Sequence, residues 1–251
     1  MNRINLSDEE WARILANLKK LTGIHVGRPD TCRQFISACL WILRSGSQWR
    51  VLPPTHGKWN SIFKRFSRWC ANGAWEKLFG HFSEASDLQD VSMDGSIVRA
   101  HACAAGAANS SVDNEALGRS KGGFGCKIHA LCDALGMPIK YILTGGQEAE
   151  CKQAIPLLEN VKASAVLADK AYDTNELRVW LESRGIKAVI PPKSNRKEKI
   201  ECDYWHYKER HVVECMFGKL KHYRRIATRY EKKAVNYMGM LSFSSILLWL
   251  R

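Results

Sequence analysis

No apolar run in the 251-residue sequence is long enough to cross a membrane. The longest, Met238–Leu250, is interrupted by a glycine and three serines, whereas a spanning helix needs about 20 consecutive apolar residues. The N-terminus lacks an apolar stretch of signal-peptide length, so we expect a cytoplasmic protein with no membrane partner. The nine cysteines include no CxxC pair, and their scatter indicates neither a disulfide framework nor a zinc site.

Acidic residues are scarce relative to basic ones. The chain has 38 Lys and Arg against 25 Asp and Glu, which gives a net charge of +13. More than half of this excess lies in the first 85 residues. A strongly basic globular protein without a membrane segment is typical of proteins that bind nucleic acid.

The first third of the sequence is predicted to be helical. Ser7 and Glu10 form a capping-box pattern, and a second apolar stripe begins after Pro29 and stops at Gly46. A third apolar stripe starts at Trp59. The basic residues of the same helix lie outside its apolar face, and they are Lys64, Arg65 and Arg68. Three short helices with a basic last one favour a helix-turn-helix-like DNA-binding domain, which we place at residues 1–86. The alternative is a core helix with a solvated basic edge.

The remaining residues, 87–251, are predicted to form an α+β domain. Three alternating segments lie at 89–99, 124–133 and 138–143, and helices then alternate with strands near 163–168 and 187–190. This is the element order of the ribonuclease H-like mixed sheet, in which the first and fourth strands are neighbours. Asp94 lies in the first strand and Asp169 at the end of the fourth. Two facing carboxylates repel unless a cation joins them, and oxygen ligands favour Mg²⁺.

A third carboxylate stands in a spaced pattern, Tyr207-x2-Arg210-x3-Glu214-x6-Lys221. Offsets of 3, 7 and 14 residues place all four side chains on one face of a helix, which we expect at about 204–225. Such a face would set Glu214 beside a metal while the two cations meet phosphate. The alternative is an ordinary amphipathic helix in which Arg210 pairs with Glu214.

Several longer motifs accompany these residues. They are Leu40-Trp-Ile-Leu-Arg-Ser-Gly, Trp49-Arg-x-Leu-Pro, Met93-Asp-Gly-Ser-Ile-Val-Arg-Ala-His, Gly118-Arg-Ser-Lys-Gly-Gly, Lys127-Ile-His-Ala-Leu, Leu143-Thr-Gly-Gly, Ala168-Asp-Lys-Ala-Tyr-Asp, Val189-Ile-Pro-Pro and Arg225-Ile-Ala-Thr-Arg-Tyr-Glu-Lys. With the spaced pattern, they make the chain resemble the DDE transposases of bacterial insertion sequences over nearly its whole length. A small departure lies at 147–150, Gln-Glu-Ala-Glu, where relatives are expected to have His-Asp after Gln-x.

The resemblance implies a function and a set of site residues. Asp94, Asp169 and Glu214 would be the catalytic triad and the ligands of Mg²⁺, for which Mn²⁺ can substitute. The protein would bind the terminal inverted repeats of its insertion sequence, then cleave them and join them to target DNA. It would act as a homodimer on double-stranded DNA, associated with the bacterial nucleoid. No nucleotide cofactor is expected, because the chain has no GxxxxGK[ST] motif.

Further residues are candidates for contacts with the DNA. Besides the three basic residues on the third helix, they are the aromatic Tyr207 and the basic residues Arg210, Lys221, Arg224 and Arg225. Two other functions stay open at this point. One is a catalytically silent DNA-binding relic, or a repressor of a related element; the other is a nuclease that cuts DNA but does not join it.

Overall fold

The computed structural model describes residues 5–111, 113–197 and 200–251. Its N-terminal part is helical, as predicted. The helices there are α1 (Asp8–Leu18), α2 (Pro29–Ser45), α3 (Trp59–Ala71) and α4 (Ala74–Ser83). The capping box of Ser7 with Glu10 is present at the start of α1. The sequence analysis described three helices in this part and did not identify α4, which follows α3 directly after Asn72 and Gly73.

Strands and short helices make up the rest of the chain. The strands are β1 (Asp90–Ala100), β2 (Gly118–Ser120), β3 (Gly123–Cys132), β4 (Pro138–Gly145), β5 (Ala165–Leu167), β6 (Lys187–Val189) and β7 (Thr228–Arg229). The helices are α5 (Ala154–Leu158), α6 (Asn175–Glu182), α7 (Tyr204–Tyr207), α8 (His211–Lys221), α9 (Arg224–Ala227) and α10 (Ala234–Trp249). The described helices include none that is long and apolar enough to cross a membrane.

The chain forms two compact units, and each consists of segments that are not contiguous in sequence. The helical unit consists of Met1–Glu84, Arg99–Glu115 and Leu220–Arg251, and the sheet unit of Ala85–Val98 and Ala116–Lys219. The predicted domain ranges, 1–86 and 87–251, have a boundary close to the one after Glu84. They do not include the two later segments, Arg99–Glu115 and Leu220–Arg251, that also belong to the helical unit. Periodicity in sequence reports which residues are buried, but it does not report which distant segment covers them.

The helical unit is built around α10, which is buried on nearly every side. Trp75 of α4 is fully buried, and its ring lies 4.8 Å from that of Phe243 on α10. The rings of Phe66 and Trp69 on α3 lie 5.8 and 5.2 Å from Trp75. Since aromatic pairs at these spacings add to the free energy gained by burial, this cluster joins the C-terminal helix to the N-terminal ones.

The sheet unit has the strand order of the ribonuclease H-like fold. β4 and β3 are antiparallel, β3 neighbours β1, and β1, β5 and β6 run parallel in that order. The pairing of β1 with β5 aligns Asp90 with Ala165 and Ser92 with Leu167. The predicted adjacency of the first strand, at 89–99, and the fourth, near 163–168, is therefore confirmed, since these are β1 and β5. The glycine-rich segment after residue 117 forms a short antiparallel hairpin, β2–β3.

The long helix predicted at about 204–225 is divided into shorter pieces. A 3-10 turn at Lys208–Arg210 separates α7 from α8, and α9 begins after a break at 222–223. The tight turn keeps residues three apart on one side, so the face carrying Tyr207, Arg210 and Glu214 is retained. Lys221 ends α8 and belongs to the helical unit.

Gly46 ends α2 in a conformation that other residues adopt at a cost. Its φ is +70°, and a Cβ built on it would lie 2.9 Å from the Cβ of Arg224. We predict that Gly46→Ala lowers the free energy of unfolding by about 1–3 kcal/mol, measured by urea denaturation. The matched control is Gly80→Ala inside α4, where nothing lies within 4 Å of the added Cβ. This change should raise stability by about 0.5–1 kcal/mol, and an equal loss in both variants would contradict the prediction.

Candidate active site

Asp94 within β1 and Asp169 just after β5 lie at equivalent positions relative to the pairing of these two parallel strands. β1 and β5 pair up to Ser92 and Leu167, and each aspartate follows two residues later. Neighbouring strands are about 4.8 Å apart, so the two carboxylates extend from the same edge of the sheet. Ligands commonly bind at the carboxyl ends of parallel strands. The sheet therefore brings together two of the three predicted acidic residues.

The environment of Asp94 disfavours an unpaired negative charge. Its side chain is 19% exposed, and this burial raises the pKa of Asp94 above its ordinary value. The backbone N–H of Gly95 donates to Oδ1 at 2.8 Å, and the Arg210 guanidinium also opposes the rise. The negative charge of Asp169 raises the pKa of Asp94 further. A nearby cation would relieve this repulsion.

Asp169 is held by the turn that follows β5. Its side chain caps the 3-10 turn at Lys170–Tyr172 and accepts a hydrogen bond of 2.7 Å from the N–H of Ala171. The capping bond fixes the carboxylate at the strand end and leaves further oxygen lone pairs for other partners.

Arg210 joins the third predicted carboxylate to the first. One terminal nitrogen lies 3.2 Å from Oδ2 of Asp94, and the other donates to Oε1 of Glu214 at 2.5 Å. Glu214 stands in the first turn of α8 with 59% of its side chain exposed. The pairing of Arg210 with Glu214 is the one that an amphipathic helix would give, but the same guanidinium also reaches the sheet.

The chemical type of the three carboxylate side chains suits a hard divalent cation. Asp94, Asp169 and Glu214 offer carboxylate oxygens, which Mg²⁺ prefers. Within residues 5–111, 113–197 and 200–251, however, no three His, Cys, Asp or Glu side chains converge closely enough to hold a metal ion. Arg210 accounts for part of this arrangement, because it neutralises Asp94 and Glu214 together.

Glu150 is a fourth acidic residue at this site, and the sequence analysis did not single it out. Its side chain packs against the backbone of Gly95, where a Cβ would lie 2.8 Å from Oε1. Lys127 on β3 lies 3.4 Å from the same oxygen. Burial raises the pKa of Glu150, and the charges of Asp94 and Asp169 add to the rise, while Lys127 opposes it. The missing side chain at position 95, inside a strand, was the available signal.

Tyr207 is held mainly by packing. Its ring is half-buried against the apolar cluster of Ala165, Leu167 and Val189, and the Arg210 guanidinium lies 5.9 Å from its centre. The neighbouring His206 places Nε2 at 2.7 Å from Oδ2 of Asp90. These contacts fix α7 on the sheet and thereby position Arg210.

Of the predicted DNA-contact residues from the end of α8 onward, two are exposed and one is buried. Lys221 and Arg224 are exposed in the helical unit. Arg225 is buried, pairs with Glu231 at 2.6 Å and donates to the carbonyl of Ser47 at 2.8 Å. Its guanidinium is therefore committed inside the protein, and the prediction of a DNA contact by Arg225 is not carried into our proposal.

The basic residues of α3 divide in the same way. Lys64 and Arg68 are exposed. Arg65 is half-buried, donates to the carbonyl of Val26 at 2.8 Å and lies 4.3 Å above the ring of Phe35. A desolvated cation over an aromatic ring is a stabilising contact. Arg65 thus has a structural role, which its spacing on the helix did not reveal.

Comparison with known families agrees with this geometry. Residues 86–249 match the family model described as "Transposase DDE domain", and residues 6–79 match "Putative transposase of IS4/5 family". The chain belongs to the DDE transposase family of bacterial insertion sequences. The first match contains Asp94, Asp169 and Glu214.

Curated relatives of this transposase come from several bacteria. A protein of Brucella ovis, "Putative transposase for insertion sequence element IS6501", is 42% identical over 50% of this chain and 98% of its own length. A Neisseria meningitidis protein, "Transposase for insertion sequence element IS1106", is 34% identical over 48% of this chain and 42% of its own. Among solved structures, a piggyBac transposase synaptic complex with hairpin DNA has a TM-score of 0.41 and 13% identity, covering 78% of this chain and 51% of that one. That likeness is too low to support any argument.

Asp173 in the same motif as Asp169 has a different role in this transposase. It is buried, with Oδ1 at 2.7 Å from Arg178 and 2.9 Å from Arg196. The N–H of Lys193 donates to Oδ2 at 2.8 Å. Burial alone would raise the pKa of Asp173, but the bonds from Arg196, Lys193 and Arg178 hold it well below its ordinary value. Asp173 therefore anchors the segment after β6.

We predict that Asp173→Asn destabilises the protein by about 3–5 kcal/mol at pH 7, because two half-buried guanidinium groups lose their buried anion. The depressed pKa makes this contribution complete above about pH 4, the unfolded value, and it is lost as the pH falls further. The difference in urea-denaturation free energy between wild type and variant should therefore shrink toward low pH. Glu182→Gln, an exposed position on α6, should change stability by less than about 0.5 kcal/mol. A pH-independent difference would contradict the prediction.

Proposed function

We propose that this transposase binds the terminal inverted repeats of its insertion sequence and catalyses metal-dependent DNA cleavage and strand transfer with Asp94, Asp169 and Glu214. The observation that carries the proposal is the register of β1 with β5, which gives two acidic residues equivalent positions at one sheet edge. Arg210 supports the assignment of the third, because it contacts both Asp94 and Glu214.

The three carboxylates are the residues that would hold divalent metal, in our proposal Mg²⁺ with Mn²⁺ able to substitute. Bound metal supplies activation of an oxygen nucleophile and neutralisation of charge at phosphorus and the leaving oxygen. Asp94 is linked to both of the others, to Asp169 by the pairing of β1 with β5 and to Glu214 through Arg210. We therefore propose that Asp94 would hold metal together with each of them.

Arg210 is proposed to exchange partners during the reaction. In the structure it neutralises Asp94 and Glu214. A guanidinium also binds phosphate with two parallel hydrogen bonds. A scissile phosphate would compete with these two carboxylates for Arg210, which would then orient the phosphate, and Tyr207 limits the movement of Arg210 by packing beside it.

Hydrolysis at the transposon end would free a 3′-hydroxyl, and this hydroxyl would attack a phosphodiester of the target DNA. In the first step water forms a bond to phosphorus and the 3′ oxygen leaves as a hydroxyl, with a 5′-phosphate on the other strand end. In the second step the transposon 3′-hydroxyl forms a bond to the target phosphorus and the target's own 3′ oxygen leaves. Each step thus breaks one P–O bond and forms one, so no nucleotide cofactor is needed. Lys64, Arg68, Lys221 and Arg224 are exposed cations proposed to contact the DNA backbone. Because two ends must be cut together, we propose a homodimer on DNA, associated with the nucleoid.

The test is cleavage and joining of labelled terminal-repeat DNA in Mg²⁺. The wild type should give joined products, whereas Asp94→Asn, Asp169→Asn and Glu214→Gln should each lower the rate at least about a hundredfold, since each removes transition-state charge stabilisation. All three variants should still bind the DNA. Glu209→Gln, an exposed carboxylate near Glu214, is the matched control and should retain activity.

Three outcomes would contradict parts of the proposal. Cleavage without joining by the wild type would indicate a nuclease. Wild-type binding without chemistry would indicate a silent relic or a repressor. An active Glu214→Gln variant would remove Glu214 from the triad while leaving the transposase assignment in place.

A further inference from the structure

The helical unit contains a pocket that the proposed chemistry does not use. Its volume is about 890 Å³, within the range of small-molecule sites. All of its lining residues belong to the helical unit, from the 3-10 turn at Trp49–Val51, from α3, from residues 101–103 and from the segment 225–236. It is therefore a feature of one compact unit.

Aromatic rings form much of the wall of this pocket. Trp59 and Phe63 of α3 line it, together with Trp49 and Tyr230. Trp49 is fixed by packing 5.4 Å from the ring of Phe63. Tyr230 stacks near His101, with ring centres 5.3 Å apart and planes tilted by 32°. Rings held in place beside an open cavity offer flat apolar surfaces on which a planar ligand can stack.

A buried acceptor at the pocket wall lacks a partner. Glu231 lines the pocket, its side chain is 3% exposed, and its Oε1 pairs with Arg225. Its Oε2 has no hydrogen-bond partner in the part of the chain that the structure describes. Such an oxygen carries a desolvation cost that a ligand N–H would offset. Asn236, also buried in the wall, adds an amide.

The charge at the pocket favours a ligand attached to an anionic chain. The lining includes the exposed cations Arg50, Lys232 and Lys233, whereas Glu231 is already paired with Arg225. Arg50 lies 5.5 Å from the ring centre of Trp59, so a cation stands next to a stacking surface. Aromatic surfaces beside Lys and Arg are the features by which proteins bind unpaired nucleotides.

We propose that this pocket binds one unpaired nucleotide of a DNA strand, with its base against Trp59 and an exocyclic amino group donating to Oε2 of Glu231. The cations at the opening would contact the adjoining phosphates. The inference rests on the proposed DNA binding and adds to it a site for a base that has left the duplex. Adenine, cytosine and guanine carry the required amino group, and thymine does not.

The test compares two short duplexes that differ in one nucleotide, measured without divalent metal so that no cleavage occurs. One is fully paired, and the other carries a single unpaired 2-aminopurine at its end. The wild type should bind the second about tenfold more tightly or better and quench the 2-aminopurine fluorescence. An unpaired thymine should give a smaller gain, and free 2-aminopurine nucleotide should compete weakly because it lacks the chain of phosphates.

Trp59→Ala should abolish the preference for the unpaired base while leaving affinity for the paired duplex unchanged. Trp59→Phe keeps a stacking surface and should retain the preference. Trp205→Ala removes an indole that is 78% exposed and lies outside the pocket, and it should behave as wild type. Exposed Cys103 lines the pocket, so its alkylation should slow more with the unpaired-base duplex than with the paired one.

Equal wild-type affinity for the two duplexes would contradict the proposal that the pocket binds an unpaired nucleotide. An unchanged preference in a folded Trp59→Ala variant would contradict it too, and either result would leave the transposase proposal intact. Absence of binding to either duplex would overturn the proposed DNA binding, and the pocket with it.

Discussion

The parallel pairing of β1 with β5 is the contact on which the candidate site depends. It sets Asp94 beside Asp169, whose negative charge raises the pKa of Asp94. Around this repulsion the unit places two cations, Arg210 on Asp94 and Lys127 on Glu150. The cost of gathering acidic groups in a half-buried position is met by nearby positive charge, and a bound metal would act on the same carboxylates.

Anchoring of the short segments around the sheet keeps these charges in place. Asp173 ties the segment after β6 to α6 through Arg178 and Arg196. His206 bonds to Asp90 at the start of β1, so α7 and the turn bearing Arg210 are fixed next to the strand that carries Asp94. The geometry of the candidate site thus relies on ion pairs and hydrogen bonds of residues that we do not assign to the chemistry.

The sequence allowed the order of elements and the adjacency of the two aspartates to be predicted, because strand alternation and motif position are local signals. It did not show that Arg65 and Arg225 bind groups within the protein. Helical spacing predicts on which face of a helix a side chain lies, but not which distant residue it contacts. Nor did it show that α10 would complete the helical unit, which depends on contacts between residues far apart in sequence. Glu150 was missed because the residue it packs against, Gly95 on β1, is far from it in sequence.

The most direct test of the account is Mn²⁺ binding, measured by electron paramagnetic resonance on the wild type, Asp94→Asn, Asp169→Asn and Glu209→Gln without DNA. If Asp94 and Asp169 share one cation site, either asparagine variant should weaken Mn²⁺ binding at least about tenfold, and Glu209→Gln should leave it unchanged. Equal Mn²⁺ affinity in all four proteins would contradict the account, because the paired aspartates would then not form a cation site.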